Sequence, residues 1–156
     1  MEKKTNSEVW LLLERHVRFG DIDAAGVIHF YHLFRWAHES WEESLQSFGL
    51  NSINIFPGSI NKDSEPHIAL PIVNCKADFL RPIRLGDLLK VRIKPKKLDL
   101  QSFEVVIQFY RNNDLVAITY IRHLSLNITT KKRCNLPKDI ELWLEASNVC
   151  GEIQPL

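Results

Sequence analysis

The sequence predicts an α+β fold in which one long helix packs on the concave face of an antiparallel sheet. Three observations carry that prediction. Phe30, Phe34, Ala37, Trp41, Leu45 and Phe48 recur at helical spacing and define one apolar face. Beyond residue 67 the pattern changes to alternation with a period of two. The alternating segments are joined largely by short turns, and strands so joined run antiparallel.

In chain order, residues 9–19 read as a first strand, with Val17 and Phe19 alternating with His16 and Arg18. The polar and small residues 20–26 end it. The helix follows, with Arg35, Glu39, Glu42, Glu43 and Gln46 largely off its apolar stripe and Gly49 as its stop. Residues 51–66, rich in Gly, Pro, Ser and Asn, are expected to form a long loop of the kind that often carries function. Residues 67–79 are strand-like, and Pro71, which has no N–H to donate, places them at an edge or a bulge. Residues 81–87 make a turn. Leu89, Val91 and Ile93 alternate with Lys90, Arg92 and Lys94, and Phe103, Val105, Ile107 and Phe109 alternate with Glu104 and Gln108. Asn112-Asn113-Asp114 signals a hairpin. Residues 115–128 form a long last strand, and 137–147 a short closing helix with Pro137 near its first turn. No repeat or linker divides the chain, so one domain over residues 1–156 is expected.

Composition narrows the function. Hydrophobic residues make up 45% and charged residues 25%, enough apolar surface to offset the ordering entropy of a folded chain. Twenty Lys and Arg stand against nineteen Asp and Glu. A domain that binds a polyanion carries a clear basic excess, so no nucleic-acid partner is expected. The apolar runs fall well short of the about 18 residues of a membrane span, so no membrane partner is expected either. The start Met1-Glu2-Lys3-Lys4 and the short apolar run behind it lack a secretory core, which points to cytoplasmic residence. Cys75, Cys134 and Cys150 are odd in number and form no Cys-x-x-Cys, so reduced thiols are expected rather than a disulfide framework or a zinc site.

The segment from Phe19 to Tyr31 is the one that points to chemistry. It sets two acids, Asp21 and Asp23, in a tight turn of small residues directly before the helix. The first N–H groups of a helix have no intrahelical partner and lie at the positive end of its dipole. A carbonyl placed there is polarised and an oxyanion stabilised, which is half of an acyl-transfer site. A neighbouring carboxylate supplies the other half, as nucleophile or as base for water. Gly26, without a Cβ, lets a substrate approach the backbone. The same residues also fit an ordinary helix N-cap worth about 1 kcal/mol, and the turn alone leaves both readings open.

Phe19-Gly20-Asp21-Ile22-Asp23-Ala24-Ala25-Gly26-Val27, followed by an aromatic-rich helix, closely resembles the signature of the 4-hydroxybenzoyl-CoA thioesterase family of hotdog-fold proteins. Residues 70–79 and Leu85-Gly86-Asp87-Leu88-Leu89 resemble that family's second strand and following turn. The resemblance implies a hotdog fold, a curved antiparallel sheet wrapped around one long central helix. It implies an acyl-CoA substrate, a homodimer or homotetramer with sites at the subunit interface, and neither metal nor cofactor. Position by position it makes Asp23 the catalytic carboxylate and the Phe30 N–H the donor to the thioester carbonyl, with Gly26 shaping the turn. Asp21, His29 and Glu39 are carried as candidate substrate-binding residues. Of these, Asp21 is expected to orient the turn, and Glu39, with Glu42, occupies the helix where a related branch keeps its catalytic Glu.

Within the family, Asp23-Ala24-Ala25-Gly26-Val27 and His38-Glu39-Ser40-Trp41-Glu42 look most like the members that hydrolyse 1,4-dihydroxy-2-naphthoyl-CoA in phylloquinone and menaquinone synthesis. Hydrolysis of an aromatic acyl-CoA is therefore expected, with that ester as the best single substrate. The rivals are a thioesterase for 4-hydroxybenzoyl-CoA or for short and medium fatty acyl-CoA, and a non-catalytic hotdog module that binds an acyl group.

The remaining polar residues supply no competing machinery. His29 and His32 lack the further ligands of a metal site. Ser40 and Ser125 lack the Gly-x-Ser-x-Gly elbow of serine hydrolases. His38 and His123 are expected to pack or line a pocket. Lys90, Arg92, Lys94 and Lys96 share one sheet face, as a solvated surface or a shallow site for CoA phosphates, and Lys131-Lys132-Arg133 reads the same way.

Overall fold

In the computed structural model, residues 8–57 and 67–149 are described. A single helical turn, α1 (Glu8–Leu11), leads into β1 (Leu12–His16) and a 3-10 turn at Phe19–Asp21. The long helix α2 (Phe30–Phe48) follows, then the short α3 (Ser52–Ile55). The strands come next: β2 (Ile68–Ala69), β3 (Ile72–Phe79), β4 (Leu88–Lys97), β5 (Ser102–Arg111), β6 (Asp114–Leu124) and β7 (Leu126–Asn127). Helix α4 (Lys138–Val149) ends the described course. The main sheet has the order β1-β4-β5-β6-β3, every neighbour antiparallel, and β2 pairs with β7 in a small second sheet.

The sheet alternates as its sequence does. On β4 the side chains of Leu89, Val91 and Ile93 are buried against α2, while Lys90, Arg92, Lys94 and Lys96 are exposed on the other face. Phe103, Val105, Ile107 and Phe109 of β5 and Ala117 and Ile121 of β6 extend the same inner face. Helix α4 closes one side of this core with Ile140, Trp143 and Leu144. Its Trp143 Nε1–H donates to Ser44 Oγ of α2 at 3.1 Å, so the buried indole is satisfied. Helix α2 ends at Gly49, which takes φ +107 and lets its own N–H and that of Leu50 close onto the last helical carbonyls.

Three expectations are corrected. Residues 8–11 are helical, not extended, because the helical turn carries Trp10 inward. Its ring meets Phe48 edge-on at 5.3 Å and its Nε1–H donates to Ser147 Oγ at 3.1 Å. The buried stripe of α2 is rotated from the aromatic one. Its centre runs through Leu33, Ala37, Ser40, Ser44 and Leu45, whereas Phe30 is 61% exposed and Phe34 half-buried. Small residues allow the close approach of helix to sheet, while the large aromatics at the start of α2 border solvent. The strand expected over 67–79 divides at Leu70-Pro71. Its longer part, β3, is one of the two sheet edges, with a register shift between Ile72 and Asn74, as the proline signalled. The loop expected over 51–66 begins with α3; its residues 58–66 lie outside the described residues, as do the start of the chain and Cys150.

Edge strand β3 is exposed along most of its length. Ile72 and Val73 at its start and Phe79 and Leu80 at its end stay 46–53% exposed. No helix among the described residues is long and apolar enough to cross a membrane.

Candidate active site

The turn between β1 and α2 is built by its own backbone. Asp23 N–H donates to Val27 C=O at 2.8 Å, and Gly26 N–H to Asp23 C=O at 3.0 Å. Gly26 takes φ +78, which a residue with a Cβ rarely adopts; a Cβ there would meet nothing within 4 Å, so the demand for glycine is conformational. The turn is docked on the connection between β3 and β4: Ile28 N–H donates to Ile83 C=O at 2.8 Å, and Val27 bridges Arg84. That connection is tied to β6 in turn, through Leu80 and Arg81 N–H donating to Val116 C=O at 2.9 and 3.1 Å. At its far end Asp87 accepts from Arg84 N–H at 2.9 Å and from Arg111 at 2.7 Å. Burial works against the Asp87 charge, yet those two donors hold its carboxyl below the usual carboxylate range.

This docking leaves an open, largely apolar cavity of about 460 Å³ between the two segments. Asp23, Val27, Ile28 and Phe30 form one wall, and Phe79, Leu80, Arg81, Pro82 and Ile83 the other. Asp23 is exposed to it. One carboxylate oxygen, Oδ1, accepts from Ala25 N–H at 2.7 Å, and Oδ2 has no partner among the described residues. The helix end beside it is only partly satisfied. Tyr31 N–H goes to His29 Nδ1 at 3.4 Å and His32 N–H to His29 C=O at 3.0 Å, while the Phe30 N–H has no partner among the described residues. A free carboxylate oxygen and a free N–H at a positive helix end therefore border one apolar space. Together they are able to activate water or attack a carbonyl while stabilising the oxygen charge that develops.

The other candidates lie elsewhere. His29 is the N-cap of α2 and its ring stacks on Phe30 at 4.8 Å between centroids. Asp21 accepts from Arg18 N–H at 2.8 Å, and its own C=O accepts from His29 N–H at 2.8 Å, so it braces the turn. Asp21 and Glu39 line a second, charged groove of about 530 Å³ with Arg15, Arg18, His32 and Arg35. There Glu39 pairs with Arg35 at 2.7 Å, and His32 Nδ1 lies 3.6 Å from Asp21. His123 is buried and stacks on Phe103, with centroids 5.0 Å apart. Among the described residues, no group of three or more His, Cys, Asp or Glu is placed to hold a metal ion.

Sequence reasoning missed the far wall of the cavity. Phe79, Leu80, Arg81 and Ile83 carry no local signal, because an Arg-Pro turn after a strand reads as a solvated connection. Only the pairing of that turn with residues 27 and 28 makes it a wall.

A long helix carrying its N-terminal turn against an antiparallel sheet, with a carboxylate and a free N–H at its mouth, defines a hotdog thioesterase architecture. Residues 17–144 match the model of the thioesterase-like superfamily, and the chain belongs to that family. A 1,4-dihydroxy-2-naphthoyl-CoA hydrolase of Prochlorococcus marinus (strain MIT 9313) is 55% identical over 144 residues, covering 92% of this chain and 95% of that protein. Its counterpart in Synechococcus sp. (strain CC9311) is 48% identical over 151 residues, 97% of this chain and 99% of that protein. Among solved structures, a 1,4-dihydroxy-2-naphthoyl-CoA thioesterase from Synechocystis matches with a TM-score of 0.76 at 26% identity, over 93% of this chain and 98% of that one.

Proposed function

We propose that this chain hydrolyses 1,4-dihydroxy-2-naphthoyl-CoA to 1,4-dihydroxy-2-naphthoate and CoA, with Asp23 as the catalytic carboxylate. The observation that carries the substrate is the full-length identity, about half of all positions, to hydrolases of that ester. The site reading is supported by the free Asp23 Oδ2 and the free Phe30 N–H on one apolar cavity.

The chemistry follows from the bond that breaks. Sulfur donates weakly into a carbonyl, so the thioester carbon is electrophilic. The CoA thiolate leaves without a strong acid, because a thiol of pKa about 8.5 is a stable leaving group. The Phe30 N–H receives the carbonyl oxygen as charge builds on it. Asp23 either attacks the carbon, giving a mixed anhydride that water then opens, or takes a proton from the attacking water. Both routes consume one water and release one carboxylate, one thiol and one proton. Label found in Asp23 after a single turnover in oxygen-18 water establishes the anhydride route with water opening it at the Asp23 carbon, and trapping of an acylated Asp23 detects that route when water attacks the acyl carbon instead.

The active unit is a homodimer joined along β3, alone or within a homotetramer, and the whole chain is one cytoplasmic domain. What supports the dimer is the open apolar edge of β3, whose Phe79 also lines the Asp23 cavity. The test of function is a panel of CoA esters with thiol release followed by a chromogenic disulfide. The dihydroxynaphthoyl ester is expected to give the highest kcat/KM. A chain that turns over fatty acyl-CoA or 4-hydroxybenzoyl-CoA better, or none of them, refutes the assignment.

A further inference from the structure

Arg81 is a cation in a wall that is otherwise apolar. It lines the same cavity as Asp23 and Phe30, opposite them, between Leu80 and Pro82. Its backbone is held by the N–H donated to Val116 C=O at 3.1 Å, so the position of the side chain's root is set by the sheet. Arg81 is exposed at the mouth of this space, and its guanidinium makes no ion pair or hydrogen bond among the described residues, so it is free to turn to a bound ligand. It is not paired with Asp23 either, although the two border one space.

An apolar wall provides contact area to an aromatic acyl group but does not distinguish a bare ring from a hydroxylated one. A cationic donor at its edge does distinguish them, because it gains a charge-assisted bond to a phenolic oxygen and none to a bare ring. Guanidinium is suited to this discrimination, since it carries several N–H donors in one plane and lies flat against aromatic faces. We propose that Arg81 is a specificity-determining residue whose guanidinium donates to a phenolic oxygen of the acyl ring, so that the cavity selects hydroxylated aromatic thioesters. This inference rests on the thioesterase reading of the same cavity.

Geometry favours the ring over the phosphates of CoA. A cavity of about 460 Å³ is on the order of 10 Å across. From sulfur to its first phosphorus the extended pantetheine arm is on the order of 15 Å, by the bond lengths that give a peptide chain about 3.5 Å per residue. With the carbonyl at the Phe30 N–H, the phosphates lie beyond this space, and the proposal seats the acyl ring within it.

The test compares 1,4-dihydroxy-2-naphthoyl-CoA with 2-naphthoyl-CoA, which lacks both hydroxyls, for the full chain and for Arg81→Met and Arg81→Lys. The ratio of kcat/KM for the two esters is expected to fall by about fivefold or more in Arg81→Met, with Arg81→Lys retaining a larger ratio than the Met variant. The inhibition constant of free CoA is measured alongside and is expected to change by less than about twofold. A smaller fall in the ratio overturns the proposal. So does a weakening of CoA inhibition as large as the loss of kcat/KM, which would place Arg81 on the phosphates. Failure of the unsubstituted chain to cleave either ester would instead overturn the hydrolase reading, and this inference with it.

Discussion

Asp21 and Asp23 stand two residues apart in one turn, yet they line different cavities. The backbone reversal from Asp23 to Val27 aims Asp23 toward the β3–β4 connection, while Asp21 faces α2 and the groove of Arg15 and Arg35. The separation divides their work. One carboxylate braces the turn and the other is left with a free oxygen.

Asp23→Asn is therefore expected to lower kcat by at least about a hundredfold, the scale of losing a general acid–base group, while the unfolding midpoint barely moves. Asp21→Ala should do the reverse, costing about 1 kcal/mol of stability through the lost Arg18 N–H bond and leaving most of the turnover. Steady-state thiol release and thermal melts of the two variants check this. If Asp21→Ala proves the more damaging to kcat, the catalytic assignment is wrong.

Glu39→Gln should have a much smaller effect on kcat than Asp23→Asn, because Glu39 is engaged by Arg35 in the other groove. An equal or larger loss in the same assay would move the chemistry to the helix.

Stability should fall in mild acid through His123. Burial pushes its imidazole down to about 4, and neighbouring His38 adds to this, against the opposing pull of the bond to Leu70 C=O. An unfolded chain binds that proton near pH 6.5. Between pH 6.5 and 4 the unfolded state thus holds more protons, so stability is intact above 6.5 and is lost as pH falls. The loss reaches about 3 kcal/mol by pH 4. Urea unfolding of the wild type and of His123→Phe across that range measures it. A stability difference between them that stays constant with pH would contradict the prediction.

Removing the Ser44 hydroxyl strands a buried donor. Ser44→Ala leaves Trp143 Nε1–H without its acceptor in a site closed to water, and is expected to cost about 1–3 kcal/mol. Denaturant titration gives the value, and an unchanged midpoint would show that another acceptor takes over.

The proposed dimer predicts a mass. Sedimentation should show at least two chains, and Val73→Lys on the exposed edge should shift the population toward monomer. A wild-type chain that sediments as a monomer at assay concentrations would exclude the shared edge.

What the sequence determined by itself was local. The span 30–48 of the long helix, its glycine stop, the hairpin at Asn112, which takes φ +55, and the alternation of β4 and β5 all follow from residues near one another. So did the acidic turn before the helix, since its small residues and its glycine act within a few positions. The tertiary structure decided what depends on distant partners. Trp10 folds residues 8–11 into a helix because Phe48 and Ser147 lie beside it. Ser40 and Ser44, not Phe30 and Phe34, lie in the buried stripe, because helix α4 and the sheet close over that face and Trp143 reaches Ser44 there. Arg81 meets the space before Asp23 only because Ile28 bonds to Ile83. Periodicity and turn chemistry are written within a few residues of chain, whereas this cavity is made by two segments far apart in sequence, the one ending at Phe30 and the one beginning at Phe79, and no local pattern records which of them will meet.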